Sequence, residues 1–218
     1  MKRTLRIPRL TLAAAAATLG ALMLLPAASL PRSEDPPTPP KEQTAAAELG
    51  KPAPDFDLKG IDGKSVKLSS FKGKIVVLEW FNPACPFCAY AYGEKGPLRE
   101  YPDQLRGKGI VWLSIVSEKP ENSGGKAESI KKFVEDKGIK APMLLDPDGK
   151  VGKSYGAKTT PHMFVINEKG LLVYRGALDN APFGQTEKNG ARENYVEAAL
   201  ADLAAGHAPT KKESTPYG

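Results

Sequence analysis

Ile75-Val76-Val77-Leu78-Glu79-Trp80-Phe81-Asn82-Pro83-Ala84-Cys85-Pro86-Phe87-Cys88 is the stretch on which the fold turns. It opens as a run apolar on both faces except at Glu79, the pattern of a central strand in a sheet covered on both sides. It closes in a C-x-x-C that holds the only two cysteines of the chain. Pro86 stands where a helix accepts proline, at its first residue. Strand, short loop and helix N-terminus therefore follow one another, and a dithiol at that junction has the placement redox chemistry needs. Free N–H groups and the helix macrodipole would favour the thiolate of Cys85. Cys88, one turn inside the helix, would be shielded and act as the resolving thiol.

Other uses of a C-x-x-C fit less well. A closed zinc site wants four N or S ligands, and only His162 and His207 remain to join the cysteines. A static disulfide across so short a loop would remove little unfolded-state entropy.

Outward from this stretch the pattern alternates between strands and helices. Residues 54–58 and 64–68 flank Gly60-Ile61-Asp62-Gly63 and predict a β-hairpin. The helix from Cys85 to Tyr92 should break over Gly93–Pro97 and resume to about Leu105. Gly109–Val116 is a second buried strand, and Ile130, Phe133 and Val134 mark a helix over Lys126–Lys137 with Gly138 as its stop. A short strand at Met143–Leu145, a turn at Asp146–Gly149 and a helical turn at Val151–Tyr155 come next. His162–Ile166 and Leu171–Arg175 form a second hairpin, and Ala191–Ala205 a last helix. The order predicts an α/β fold: a mixed sheet with a parallel core, helices on both faces and an N-terminal β-hairpin. The dithiol falls at the C-terminal end of the first core strand, where such sheets place their sites.

The two ends are of another character. Lys2, Arg3, Arg6 and Arg9 precede a 16-residue apolar run, Leu10–Leu25, and small residues follow at Ala27, Ala28 and Ser29. That is the layout of a cleaved signal peptide over residues 1–29, the run being short for a bilayer anchor. Of the net charge of +6, these four cations supply four, so the remainder is nearly neutral. Neither nucleic acid nor an anionic membrane surface is implied as a partner. Residues 30–51 are a Pro/Ala-rich linker, residues 52–205 a single domain, and residues 206–218 a polar tail expected to be loose. A periplasmic or otherwise exported protein is expected.

Trp80–Cys88 together with Thr159-Thr160-Pro161-His162-Met163-Phe164-Val165-Ile166 resembles the thioredoxin-like superfamily, and within it the exported redoxin, peroxiredoxin-like branch of alkyl hydroperoxide reductase/thiol-specific antioxidant type. The resemblance covers about residues 48–205. It implies a thioredoxin-like fold and a thiol–disulfide oxidoreductase working through Cys85 and Cys88 on protein disulfides, with a redox donor, in many relatives membrane-bound, and no cofactor or metal. It also implies that the Thr160–Pro161 bond is cis and faces the dithiol, with the Thr160 backbone free to hold an extended substrate. Glu79 matches a position that is polar or acidic in relatives. Buried, it would have a raised pKa suited to exchanging a proton with Cys88; alternatively it turns to solvent or pairs with a lysine. His162 could assist a thiolate, but a hydrogen-bonded structural histidine is the commoner outcome. Phe87 and Trp80 offer an apolar rim for a partner, Trp80 being equally at home in the core.

Two other functions compete. The resembled branch contains peroxidases, but these carry a threonine and a proline where this chain has Asn82 and Leu78. Copper handling would use both thiolates with His162, although copper chaperones of this fold space their cysteines one residue wider.

Overall fold

The computed structural model describes residues 46–187 and 190–218. The expected signal peptide and most of the expected linker lie outside the described residues. Seven strands, β1 (Asp57–Gly60), β2 (Ser65–Lys67), β3 (Val76–Trp80), β4 (Val111–Val116), β5 (Met143–Leu145), β6 (His162–Ile166) and β7 (Leu172–Gly176), form one sheet in the order β2-β1-β5-β4-β3-β6-β7. The helices are α1 (Pro86–Ala91), α2 (Tyr101–Gly107), α3 (Ala127–Lys137), α4 (Lys150–Tyr155) and α5 (Tyr195–Ala204). β3, β4 and β5 pair in parallel, while β1–β2, β1–β5, β3–β6 and β6–β7 are antiparallel. This is the mixed sheet with a parallel core and an N-terminal hairpin that the patterning predicts.

All five residues of β3 are buried, as are all five of β6, because helices cover both faces. Val77, Phe81, Trp112, Met163 and Val165 share one core with Cys88 of α1, with Tyr92 just past its end, and with Val196, Ala199 and Leu200 of α5. Val76, Leu78, Trp80, Leu113, Ile115, Phe164 and Ile166 pack into the other core, with Phe56 and Tyr155. The period-two alternation of side chains divides each strand between the two. Buried side chains of this size each contribute roughly 1.5–3 kcal/mol relative to exposure, and the β3 register they hold fixes the position of the loop that carries Cys85.

Helix α1 ends at Ala91, where the chain turns back on it. The chain doubles back so that Leu98 N–H donates to the Ala91 carbonyl at 2.8 Å. A Cβ at Gly96 would collide with the carbonyl oxygens of Tyr90 and Ala91. Helix α3 ends at Gly138 in the left-handed conformation expected of a glycine stop (φ 65°).

Both ends of the domain make contacts that composition conceals. Ala47 is buried, its N–H donates to the Ser154 carbonyl, and Leu172 N–H donates to the Lys51 carbonyl. At the other end, Glu213 bridges in parallel to Arg175 on the outer edge of β7, and Arg175 N–H donates to the Lys212 carbonyl at 3.0 Å.

Candidate active site

Asn82 shapes the loop that delivers the first cysteine. Its Oδ1 accepts from Ala84 N–H at 2.8 Å, its carbonyl from Cys85 N–H at 3.0 Å, and its Nδ2 donates to Glu118 Oε1 at 3.3 Å. An Asx turn of this kind reverses the chain without a ladder partner. Cys85 then occupies the N-cap of α1 with extended backbone (φ −79°, ψ 124°), and Pro86 starts the helix. The sulfur stands half-buried, whereas Cys88 is fully enclosed, and neither cysteine is in a disulfide.

Opposite the dithiol lies the Thr160–Pro161 bond, which is cis. In its thiol form Cys85 Sγ donates to the Thr160 carbonyl at 2.9 Å. The pKa of Cys85 is brought down to about 5. The chief cause is the hydrogen bond from the Cys88 side chain. Partial burial opposes it, and Thr160 and the backbone N–H groups of Cys88 and Phe87 add smaller help. Cys88 is driven the other way, well above the ordinary thiol range, by burial, by its bond to Cys85 and by the nearby charge of Glu79.

Glu79 is fully buried, turned neither to solvent nor to a lysine. Tyr92 Oη, Ser114 Oγ and Trp112 Nε1 all donate to its Oε2, at 2.6, 2.8 and 3.0 Å. Its Oε1 is buried with no hydrogen-bond partner among the described residues. Burial raises its pKa against the lowering effect of those three donors. A carboxyl with one oxygen satisfied by three donors and the other unpartnered has room to take up a proton at Oε1.

His162 pairs across the sheet with Trp80, and its ring stacks near Phe164 (centroids 4.5 Å apart) among the core of the face opposite Cys88. Its Nδ1 accepts from Lys158 N–H at 3.3 Å. Burial, then the charges of Lys158 and Arg175, bring its pKa down to about 4, so the ring is neutral. This is the structural histidine, and strand alternation keeps it from joining the two sulfurs. Trp80 is core as well, its Nε1 donating to Ser117 Oγ at 2.9 Å.

With strand, dithiol and cis proline assembled, residues 49–175 match the AhpC/TSA family. The chain belongs to that family. It is similar to the thiol-disulfide oxidoreductase ResA of Bacillus thuringiensis subsp. konkukian, 28% identical over 126 residues that span 58% of this chain and 68% of that protein. Among solved structures it is similar to an uncharacterized conserved protein of Geobacillus kaustophilus, with a TM-score of 0.68, 29% identity, and 78% of this chain and 88% of the other covered. The thioredoxin domain of a thiol-disulfide oxidoreductase from Bacteroides vulgatus shares the fold, at a TM-score of 0.50 and 23% identity over 60% of this chain and 89% of the other. The AhpC/TSA domain is thus of thioredoxin-like fold.

Several residues at the site escape sequence reasoning. Phe87 is not a bare rim: the ring of Phe183 stacks on it at 4.1 Å and that of Tyr217 lies 5.7 Å away. Phe183 belongs to the segment between β7 and α5 and has φ 54°. That segment is held by Asp179, which is buried and takes Arg192 Nε and Nη2 at 2.9 and 2.8 Å and Tyr217 Oη at 2.6 Å. An aromatic between Pro182 and Gly184, in a stretch with no period, is the one signal that marks it.

Proposed function

We propose that this AhpC/TSA-family protein is an exported thiol–disulfide oxidoreductase that reduces disulfides of partner proteins through Cys85 and Cys88. The observation that carries the exchange chemistry is the opposed acidity of the two thiols, with Cys85 a half-buried thiolate at neutral pH and Cys88 a buried, protonated thiol. Cys85 thiolate attacks one sulfur of the partner disulfide, forming a mixed disulfide and expelling the other sulfur as a thiolate. Cys88 then loses its proton to Glu79 and attacks Cys85 Sγ. The 85–88 disulfide forms, the second partner sulfur leaves as a thiolate that recovers a proton from Glu79 or solvent, and two electrons have passed to the partner. Thr160 and Pro161 form the wall against which the mixed disulfide is aligned. A donor outside this chain, membrane-bound in the proposed setting, returns the two electrons.

The similarity to ResA and the membership of the AhpC/TSA family support the reaction class. The basic and apolar residues 1–29 support export; among the described residues no helix is long and apolar enough to cross a membrane. Recovery of the protein from the cytoplasm with those residues intact would contradict export.

The lowered pKa of Cys85 favours the dithiol form and so works against the reductive direction. The reduction potential therefore decides direction, and a value above the glutathione couple reassigns the protein to disulfide formation. The reaction itself is tested by insulin-disulfide reduction beside hydrogen peroxide consumption. Insulin reduction lost with either Cys85→Ser or Cys88→Ser supports exchange. Peroxide consumption that outpaces it makes the protein a peroxidase, against the absence of a threonine hydroxyl at Asn82.

A further inference from the structure

The polypeptide after α5 returns to the dithiol. From Lys212 it runs along the outer edge of β7, joined to it by the single parallel bridge Arg175↔Glu213, and Ser214 N–H donates to the Arg175 carbonyl at 3.2 Å. Ser214 Oγ accepts from Ala177 N–H at 2.9 Å and bonds Tyr174 Oη at 2.7 Å. The approach is so close that a Cβ at Gly176 would overlap Ser214. Tyr217 then reaches over Phe87 and donates to Asp179 at 2.6 Å. Gly218 packs on the Thr160 carbonyl and the Thr159 hydroxyl, leaving no room for a Cβ. That carbonyl is the one Cys85 Sγ touches.

A free sheet edge and an exposed cis-proline loop are what an extended polypeptide pairs with, the edge giving backbone hydrogen bonds and side-chain pockets giving selectivity. Here both are filled from within the chain. We propose that residues 213–218 are a built-in competitor for the substrate. They occupy the track from Gly176 to Thr160 along which a disulfide-bearing polypeptide must lie to reach Cys85, and they mimic its chemistry. The inference rests on the dithiol-exchange reading and names its substrate class. That class is an extended segment with a small hydroxylic or small apolar residue at the place of Ser214 and an aromatic at the place of Tyr217, against Phe87 and Phe183. A substrate that binds only when the strap is off has its affinity reduced by the fraction of time the strap is off. Removing the hydrogen bond of Tyr217 to a charged acceptor raises that fraction about tenfold.

The test uses the Cys85→Ser chain, which cannot exchange, and the same chain either ending at Lys212 or carrying Tyr217→Ala. Reduced, carboxymethylated insulin B chain is titrated as the extended probe. Both altered chains should bind it about tenfold more tightly than the parent. Equal or weaker binding by variants whose circular dichroism and thermal transition match the parent overturns the proposal. Should the shortened chain fail to fold, Tyr217→Ala decides alone, because Asp179 keeps Arg192 as its partner. The binding comparison stands apart from turnover: loss of insulin reduction in cysteine-intact chains of both lengths contradicts the exchange reaction, not the strap.

Discussion

Cys85 and Cys88 stand one helical turn apart on α1 and are driven in opposite directions as acids. Cys85 gains the hydrogen bond that its neighbour donates. Cys88, in the core beside Glu79, is denied charge. One dithiol is thereby divided into a thiol that ionises easily and a thiol that holds its proton.

In the reduced protein, iodoacetamide should label Cys85 with a half-maximal rate near pH 5 and leave Cys88 untouched past pH 9. The sign carries over to stability. A thiol whose folded pKa lies below its ordinary value of 9.0 contributes stability that is present above that value and lost as pH falls through about 5. Wild type should therefore lose stability relative to Cys85→Ser as reduced samples are taken from pH 9 to pH 5. Mass-resolved alkylation and thermal unfolding across that range check both statements.

Glu79→Gln should lower the rate of insulin reduction at neutral pH by about a hundredfold, the usual scale for loss of a positioned proton acceptor, while Cys85 alkylation stays near wild type. The amide oxygen can take the place of Oε2 facing Tyr92, Trp112 and Ser114. A carboxyl with a raised folded pKa holds its proton longer in the folded than in the unfolded protein, so its stabilising effect fades as pH rises. Glu79→Gln should thus be more stable than wild type at pH 8, and by a margin that shrinks towards pH 4. The pH series of thermal midpoints separates this role from a merely structural one.

Tyr92→Phe removes the shortest of the three hydrogen bonds to Glu79 Oε2 while keeping the ring that packs edge-on to Phe81. The expected loss is ~2 kcal/mol in urea unfolding, the scale of a buried hydrogen bond to a charged group. A loss below a few tenths would show that Trp112 and Ser114 suffice.

Arg192→Ala leaves the buried Asp179 carboxylate, among the described residues, with Tyr217 and the Ala181 N–H as donors. Removing one partner of such a pair costs about 3 kcal/mol when the remaining charge is buried. Urea unfolding measures it, and an unchanged midpoint would mean that Tyr217 alone holds the carboxylate.

Much of this was legible in the residues because local pattern and tertiary role agree. β3 shows as an unbroken apolar run since both its faces are covered, and the cysteines and Thr160–Pro161 carry their meaning in type and spacing. Glu79 stands out as the single acid in that run, yet its three donors come from β4 and the far end of α1, and only the register Glu79↔Ser114 brings them together. The Asp179–Arg192–Tyr217 cluster was hidden for the same reason: its members are 13 and 38 residues apart in non-periodic chain. The tail after α5 has the composition of a solvated segment, and what orders it is the free edge of β7, a property of the sheet rather than of the tail.

The central claim, that Cys85 attacks and Cys88 resolves, is tested most directly by trapping. Cys88→Ser protein mixed with insulin should accumulate a mixed disulfide that peptide mapping places on Cys85, while Cys85→Ser protein accumulates none. An adduct on Cys88, or no adduct from either variant under conditions where wild type reduces insulin, would contradict it.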